Sequence, residues 1–213
     1  MYKYILFDLD GTLTDPGLGI TNSVMYALKK FGIAANDRMS LYKFIGPPLK
    51  ESFETFCGFS PEQCELAVRY YREYFTDTGI FENAVYDGIP ELLKTLKERG
   101  KTAVLATSKP EVFALRILKH FGLYSYFDLV CGATMDDTRN KKGDIIKYAL
   151  EQCGAVSPSE AVMVGDRKHD MIGAAENGLD AIGVLYGYGD RDELQKAGAA
   201  YIAAVPEDIL RYV

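Results

Sequence analysis

Short apolar runs alternate with segments of helical periodicity over most of this chain. Ile89, Leu92, Leu93 and Leu96, for example, recur at the three- and four-residue spacing of an amphipathic helix. The apolar runs are hydrophobic throughout, so we expect strands buried on both faces, as in a parallel sheet covered by helices. The predicted strands begin at Tyr4 and then span residues 102–107, 127–131, 161–164, 181–185 and 201–205, and a terminal helix is predicted from Pro206.

One segment after the first strand interrupts this alternation, because its pattern predicts helices and no convincing strand. Residues 20–31 have helical patterning, a second helix is expected from Leu49, and Ser60-Pro61-Glu62-Gln63 is a capping-box sequence with proline at the first helical position. Turn-rich sequence flanks the segment at both ends, as a hinged insert requires. The expected domains are therefore a core of residues 1–14 and 84–213 and a small all-helical cap of residues 15–83.

Composition and charge narrow the function classes. The chain has 213 residues and a formal net charge of −6 with scattered basic residues, so no nucleic-acid partner is expected. No apolar stretch approaches the length of a membrane span, and the first residues lack a secretory signal pattern. The four cysteines lack metal-binding spacing, which favours buried thiols in a reducing compartment. We expect a cytoplasmic protein with no membrane partner; its oligomeric state is open, either a monomer or a weak homodimer.

Polar residues follow three of the predicted strands at their carboxyl ends, where open parallel sheets bind ligands. The first strand ends in Asp8 and Asp10, whose side chains lean to the same side about 6–7 Å apart. Taken singly, such residues can simply end strands, cap helices or face solvent. Their joint occurrence at one edge predicts a functional site. Besides Asp8 and Asp10, the residues expected at this edge are Thr107-Ser108-Lys109, Gly165-Asp166 with Asp170, and a lysine at position 141 or 142 at the start of a helix.

These residue types suit phosphoryl transfer through a covalent intermediate. Asp8 can attack phosphorus to form an aspartyl-phosphate, and Asp10 can protonate the leaving oxygen and later deprotonate a water. Asp8, Asp166 and a backbone carbonyl near Asp10 can hold Mg²⁺, the cation that neutralises clustered carboxylates. Thr107 and Lys142 can bind the phosphoryl oxygens, supported by the positive end of a helix that opens at Pro110.

With these residues in place, the chain resembles the haloacid dehalogenase superfamily over essentially its whole length, and specifically its phosphatases with a helical cap. Residues 8–12 (Asp-Leu-Asp-Gly-Thr) are similar to the first family motif and residues 165–170 to the fourth; Thr107 and a lysine at 141–142 match the second and third. The resemblance implies a Rossmann-like core, Mg²⁺ as cofactor, Asp8 as nucleophile and Asp10 as acid/base. The implied metal ligands are Asp8, Asp10, Asp166 and Asp170, and the implied phosphate-binding residues are Thr107, Ser108 and Lys142.

Within the superfamily, the second aspartate of the first motif argues against dehalogenation. The position of the cap matches the phosphoglycolate phosphatase-like branch, and 5′-nucleotidase-like members and phosphomutases are the alternatives for a small phosphorylated substrate. Two departures from the usual pattern are Ser108, where asparagine is frequent, and Gly143, where proline follows the lysine. Lys50 is our candidate for a cap residue that pairs with a substrate anion, with a solvent-facing lysine as the alternative. Gly183, Gly187 and Gly189 are interpreted as shaping a turn after a strand.

Overall fold

The computed structural model describes residues 2–35, 37–136, 138–154 and 156–213. The chain divides into two compact units, one made of residues 1–14 and 85–213 and the other of residues 15–84. The roles of these units as catalytic core and cap stay predictions. None of the helices in these ranges combines the length and hydrophobicity of a membrane span.

The larger unit is built on a six-stranded parallel sheet. The strands are β1 (Tyr4–Phe7), β4 (Thr102–Pro110), β5 (Leu129–Ala133), β6 (Ala161–Gly165), β7 (Asp180–Val184) and β8 (Tyr201–Ala203). They lie side by side in the order β5-β4-β1-β6-β7-β8. Helices separate the strands along the chain, which confirms the predicted α/β class. The helices are α4 (Ile89–Glu98), α5 (Glu111–His120), α6 (Lys142–Gln152), α7 (Lys168–Glu176) and α8 (Arg191–Lys196).

Strand β1 occupies the centre of the sheet, between β4 and β6. Phe7, its last residue, is in register with Leu105 of β4 and with Val164 of β6. All three strands run in the same direction, so the residues that follow them emerge side by side at one edge. This register brings together segments that lie about 100 and 160 residues apart in the chain.

Buried aliphatic side chains fill the space between the sheet and its helices. Leu6, Val104 and Met163 from three neighbouring strands pack in one cluster with Ile146 of α6 and Met171 of α7. Each of these side chains is at most 2% exposed, and burying one such side chain contributes about 1.5–3 kcal/mol. Continuous burial on both faces explains why the strands read as unbroken apolar runs.

In the part of the smaller unit that the structure describes there are three α-helices, α1 (Gly17–Lys30), α2 (Leu49–Cys57) and α3 (Pro61–Phe75). The predicted capping box is present at α3, where the Ser60 hydroxyl accepts from the Gln63 N–H and the Gln63 side chain accepts from the Ser60 N–H. Phe53 is fully buried and its ring stacks on Phe59 with centroids 6.0 Å apart. Aromatic packing therefore supplies much of the core of this unit.

Several predicted elements differ from the observed ones. Strand β4 runs on to Pro110, with a register irregularity between Thr107 and Pro110. The predicted terminal helix begins at Pro206 and is a 3₁₀ helix over residues 206–211, a short tight form closed by i→i+3 bonds. Helix α8 was not predicted, because Leu194 is its only buried residue and leaves no periodic pattern. Two strands of two residues each, β2 (Thr14–Asp15) and β3 (Ala84–Val85), are too short to produce a pattern.

Candidate active site

A tight turn follows β1 and sets the direction of the first acidic pair. The Asp8 N–H still belongs to the sheet and donates to the carbonyl of Val164 at 2.9 Å. The chain then folds back on itself, so that the carbonyl of Leu9 accepts from the N–H groups of Leu13 at 2.9 Å and Thr14 at 3.0 Å. The backbone of Asp8 is thereby anchored at the centre of the sheet edge.

Gly11 makes this turn possible. Its φ of +83° lies in the left-handed region, which costs an L-residue with a side chain about 1–2 kcal/mol. A β-carbon at position 11 would also lie 2.1 Å from Asp166 Oδ2, well inside van der Waals contact. Only glycine lets the turn after β1 approach the carboxylate that follows β6.

Three carboxylates meet at this edge of the sheet. Oxygens of Asp8, Asp166 and Asp170 all lie within 4.8 Å of one another. The three residues are 7%, 0% and 1% exposed, so water screens their mutual repulsion poorly. Asp8 comes from the end of β1, whereas Asp166 follows β6 and Asp170 lies in the first turn of α7.

Lys142 supplies a positive charge to this acidic cluster. Its Nζ lies 2.8 Å from Asp8 Oδ1 and 2.8 Å from Asp170 Oδ1, and it donates to the carbonyl of Ala106 at 3.0 Å. Although burial alone would lower it, the pKa of Lys142 is raised above its usual value by Asp170 and Asp8. Of the two lysines open to the sequence argument, the structure brings Lys142 into the cluster and leaves Lys141 exposed.

One ammonium does not neutralise three carboxylates. Burial raises the pKa of Asp170, with Asp8 adding to the increase and Lys142 opposing it. The pKa of Asp166 is raised well above its usual value by burial and then by the charges of Asp170 and Asp8. The ionised carboxylates of the cluster therefore carry more negative charge than Lys142 balances, and a bound cation would offset the excess.

The donor set fits a hard divalent cation. Asp166 Oδ1 is buried and has no hydrogen-bond partner among the described residues. The three carboxylates offer hard oxygen donors within 4.8 Å of one another, the ligand type that Mg²⁺ prefers. Asp8, Asp166 and Asp170 are thus the residues that could hold the ion.

The Asp10 carboxylate is not part of this cluster. Its Oδ2 lies 2.5 Å from Nζ of Lys109, and both side chains are nearly buried, at 12% and 6% exposure. Burial raises the pKa of Asp10, and the neighbouring Lys109 opposes that increase. Of the four expected metal ligands, the structure therefore groups three and pairs the fourth with a lysine.

Residues 107–110 continue β4 past the point where the other central strands end. The Thr107 hydroxyl is buried and accepts from the Lys109 N–H at 3.2 Å, whereas Ser108 is half-buried. Pro110 precedes the first turn of α5, whose free N–H groups carry a partial positive charge. Thr107, Ser108 and the start of α5 all lie at the carboxyl end of β4, next to β1.

Lys50 belongs to the smaller unit, at the start of α2. It is exposed, and its Nζ lies 3.6 Å from Glu65 Oε1. Its expected role in substrate selection stays a prediction.

The sequence indicates Lys109 as one of the strand-end residues without a role of its own, and only the structure reveals its contact with Asp10. Gly187 and Gly189 are expected to be turn residues, yet their α-carbons pack against Asp166: a β-carbon would lie 2.4 Å from Asp166 Cβ at position 187 and 2.0 Å from the Asp166 carbonyl oxygen at position 189. No spacing in the sequence signals this contact, because it depends on how β6 and β7 align.

Several known proteins are similar to this chain over most of its length. A 5′-nucleotidase of Pseudomonas aeruginosa is 48% identical over 194 residues, covering 91% of this chain and 87% of that protein. The tyrosine-protein kinase PtkA of Mycobacterium tuberculosis is 38% identical over 200 residues, covering 94% of this chain and 68% of the kinase. The crystal structure of a predicted phosphatase from Clostridium acetobutylicum matches with a TM-score of 0.96 and 49% identity, covering 100% of this chain and 98% of that one.

The family itself follows from a match that spans most of the chain. The family model for haloacid dehalogenase-like hydrolases matches residues 5–184, a range that includes the turn after β1, Thr107, Lys142 and both aspartates of the 165–170 segment. Its extent and the acidic cluster agree with the resemblance seen in the four motifs. The chain belongs to the haloacid dehalogenase-like hydrolase family.

Proposed function

We propose that this protein is a Mg²⁺-dependent phosphatase that hydrolyses small phosphate monoesters through an aspartyl-phosphate on Asp8. The observation that carries the proposal is the acidic cluster, in which oxygens of Asp8, Asp166 and Asp170 lie within 4.8 Å of one another and the Lys142 ammonium contacts Asp8 and Asp170. When bound, Mg²⁺ would supply positive charge that neutralises the nucleophile and the phosphoryl group together. The three carboxylates are hard oxygen donors that fit this ion.

The substrate's phosphoryl group is expected to lie at the carboxyl ends of β1 and β4. The Thr107 hydroxyl, the Lys142 ammonium and the N–H groups at the start of α5 are the donors available there. Such donors stabilise the charge on the equatorial phosphoryl oxygens. Ser108 lies beside them and is a further candidate for this contact.

The first chemical step is attack by Asp8. One of its carboxylate oxygens forms a bond to phosphorus as the bond from phosphorus to the leaving oxygen breaks, and Asp10 donates a proton to that oxygen. The pKa of Asp10, raised by burial, favours the protonated form that this step requires.

The second step reverses the proton transfer. Asp10, now ionised, accepts a proton from a water molecule whose oxygen attacks phosphorus, and the bond between phosphorus and Asp8 breaks to release inorganic phosphate. Lys109, 2.5 Å from Asp10, stabilises the ionised form that serves as base. One residue thus alternates between acid and base.

Similarity guides the choice of substrates to test. The relative that is 48% identical is a 5′-nucleotidase, so nucleoside monophosphates are the first class. A solved structure described as a predicted phosphoglycolate phosphatase is 23% identical and supports the shared fold alone, so phosphoglycolate is tested as the sequence-based expectation. The partner is in either case a small phosphorylated metabolite.

A substrate screen with nucleophile variants tests the proposal. Phosphate release from nucleoside monophosphates, phosphoglycolate, sugar phosphates and an aryl phosphate is measured with Mg²⁺ and with EDTA, using wild type, Asp8→Asn and Asp8→Ala. We expect both variants to lose more than about 10³-fold in kcat. Asp144→Asn, which changes an exposed aspartate of α6, is the matched control and should keep wild-type turnover.

The covalent intermediate gives a second readout. Acid quenching followed by borohydride reduction converts an aspartyl-phosphate to homoserine, so a mass loss confined to the peptide with Asp8 is expected. Turnover retained by pure Asp8→Asn protein would refute the assignment of the nucleophile. An isomerised sugar phosphate without free phosphate would favour the phosphomutase alternative.

A further inference from the structure

The segment that joins β7 to α8 and continues to Glu193 packs around Asp166 without contributing a carboxylate to the acidic cluster. The Tyr188 N–H donates to Asp166 Oδ2 at 2.8 Å, which leaves Oδ1 as the oxygen without a partner. A β-carbon at Gly187 would lie 2.2 Å from the Gly11 carbonyl oxygen. This segment therefore contacts the turn after β1 and the end of β6 at once.

Glu193, in the first turn of α8, contacts the residues that follow Asp166. Its Oε1 accepts from the backbone N–H of Lys168 at 2.8 Å and from Arg167 Nε at 2.9 Å. The two side chains of the ion pair are 26% and 18% exposed, so the contact is mostly shielded from water. Glu193 is itself fixed, because its N–H donates to Asp190 Oδ1 at 2.8 Å.

These contacts fix the backbone between two carboxylates of the acidic cluster. Arg167 and Lys168 are part of the short stretch between Asp166 and Asp170, and the Arg167 N–H donates to Asp170 Oδ2 at 3.1 Å. Glu193 thus restrains the peptide units that connect Asp166 to Asp170. Burial opposes ionisation of Glu193, but hydrogen bonds from Arg167 and from the Lys168 N–H lower its pKa.

We propose that Glu193 is a positioning residue for the cation site, setting the separation of Asp166 and Asp170 through Arg167 and Lys168 without touching the ion. The inference rests on the proposed function insofar as that function requires a divalent cation at these aspartates. Partners that orient metal ligands from outside the ligand set are typically worth 10–100-fold in metal affinity.

Direct metal binding tests the inference independently of turnover. Mn²⁺ is titrated into metal-free protein at about pH 7.5 and free Mn²⁺ is followed by electron paramagnetic resonance, for wild type, Glu193→Gln and Glu193→Ala. We expect the Mn²⁺ dissociation constant to rise about tenfold or more in both variants. Asp192→Asn is the control, because Asp192 lies on the same helix and its ion pair is with Lys196, 2.6 Å away at an exposed position.

Kinetics separate a positioning role from a general loss of stability. The Mg²⁺ concentration for half-maximal activity should rise by the same factor in Glu193→Gln, whereas kcat at saturating Mg²⁺ should stay within about threefold of wild type. A lower fraction of folded protein would instead reduce kcat without changing the half-maximal Mg²⁺. If Glu193→Gln does not fold, Glu193→Asp, which keeps the charge but shortens the side chain, is compared in its place.

The outcomes distinguish this inference from the proposed function. An unchanged Mn²⁺ dissociation constant in folded Glu193 variants overturns the positioning role, and so does an equal loss in Asp192→Asn. Weaker Mn²⁺ binding supports it even if Asp8→Asn retains turnover, in which case only the proposed function fails.

Discussion

Lys109 Nζ lies 2.5 Å from Asp10 Oδ2, and this pair is separate from the cluster of Asp8, Asp166 and Asp170. The site therefore contains two buried lysines with different partners. Lys142 contacts Asp8, the proposed nucleophile, whereas Lys109 contacts the proposed acid/base. In the proposed mechanism, the ammonium of Lys142 serves the phosphoryl group and that of Lys109 serves proton transfer.

Removing the charge of Lys109 should slow proton transfer and shift its pH dependence. Lys109 opposes the increase that burial causes in the pKa of Asp10, so Lys109→Met should raise that pKa further. In the pH profile of kcat, the limb that reports ionisation of Asp10 should move to higher pH. The value of kcat at pH 7 should fall by about 10²-fold. Lys109→Arg, which keeps the charge, should recover part of the loss. A pH profile identical to wild type in Lys109→Met would contradict the pairing.

Lys142 and Lys141 form a matched pair of neighbours for mutation. Lys142→Met leaves Asp8 and Asp170 without their buried counter-charge, and breaking such a pair costs about 3–5 kcal/mol of unfolding free energy. We expect that loss in urea denaturation with EDTA present, together with a loss of activity. Lys141→Met removes an exposed charge and should leave both quantities near wild type. Equal effects at the two positions would contradict the assignment.

Gly11→Ala combines backbone strain with a steric clash. A substitution at a second glycine distinguishes these two effects. Gly100 has a φ of +67°, and a β-carbon at this position would have no atom within 4 Å, so Gly100→Ala measures strain alone. Gly11→Ala should cost more, because its β-carbon would displace the Asp166 carboxylate. We expect Gly11→Ala to lose phosphatase activity and Mn²⁺ binding, and Gly100→Ala to lose only about 1–2 kcal/mol of unfolding free energy. Normal Mn²⁺ affinity in Gly11→Ala would argue against the close approach.

Magnesium should stabilise the folded protein, and more so at higher pH. Burial raises the pKa values of Asp166 and Asp170, so lowering the pH protonates them, and protons then compete with the ion. At 100 times its dissociation constant an ion adds about 2.7 kcal/mol of unfolding free energy. We expect the increase in Tm caused by Mg²⁺ to be largest near pH 7.5 and to shrink towards about pH 5.5. Asp166→Asn should remove most of the Mg²⁺-induced increase in Tm at either pH. If this variant kept the full increase, the ion would bind elsewhere.

Local sequence signals were sufficient for the α/β class and for most of the proposed site. Unbroken apolar strands indicated a buried parallel sheet, and the topology of such sheets predicts a ligand site at the carboxyl ends. Asp8, Asp166 and Lys142 follow or precede recognisable elements, so their convergence could be anticipated from strand order. Elements with few buried residues, such as α8, gave no comparable signal.

Other features depended on packing between segments that are distant in the chain. Whether Asp10 joins the acidic cluster or pairs with Lys109 depends on how β4 continues past Thr107, where the register becomes irregular. The contacts of Gly187 and Glu193 with the loop between β6 and α7 depend on the alignment of β6 with β7. By itself the sequence determined which chemical groups stand at the ends of the strands, because periodicity is a local property. Only the tertiary structure decided which of them touch, because ångström-scale contacts are set by strand register and by the close approach that glycine permits.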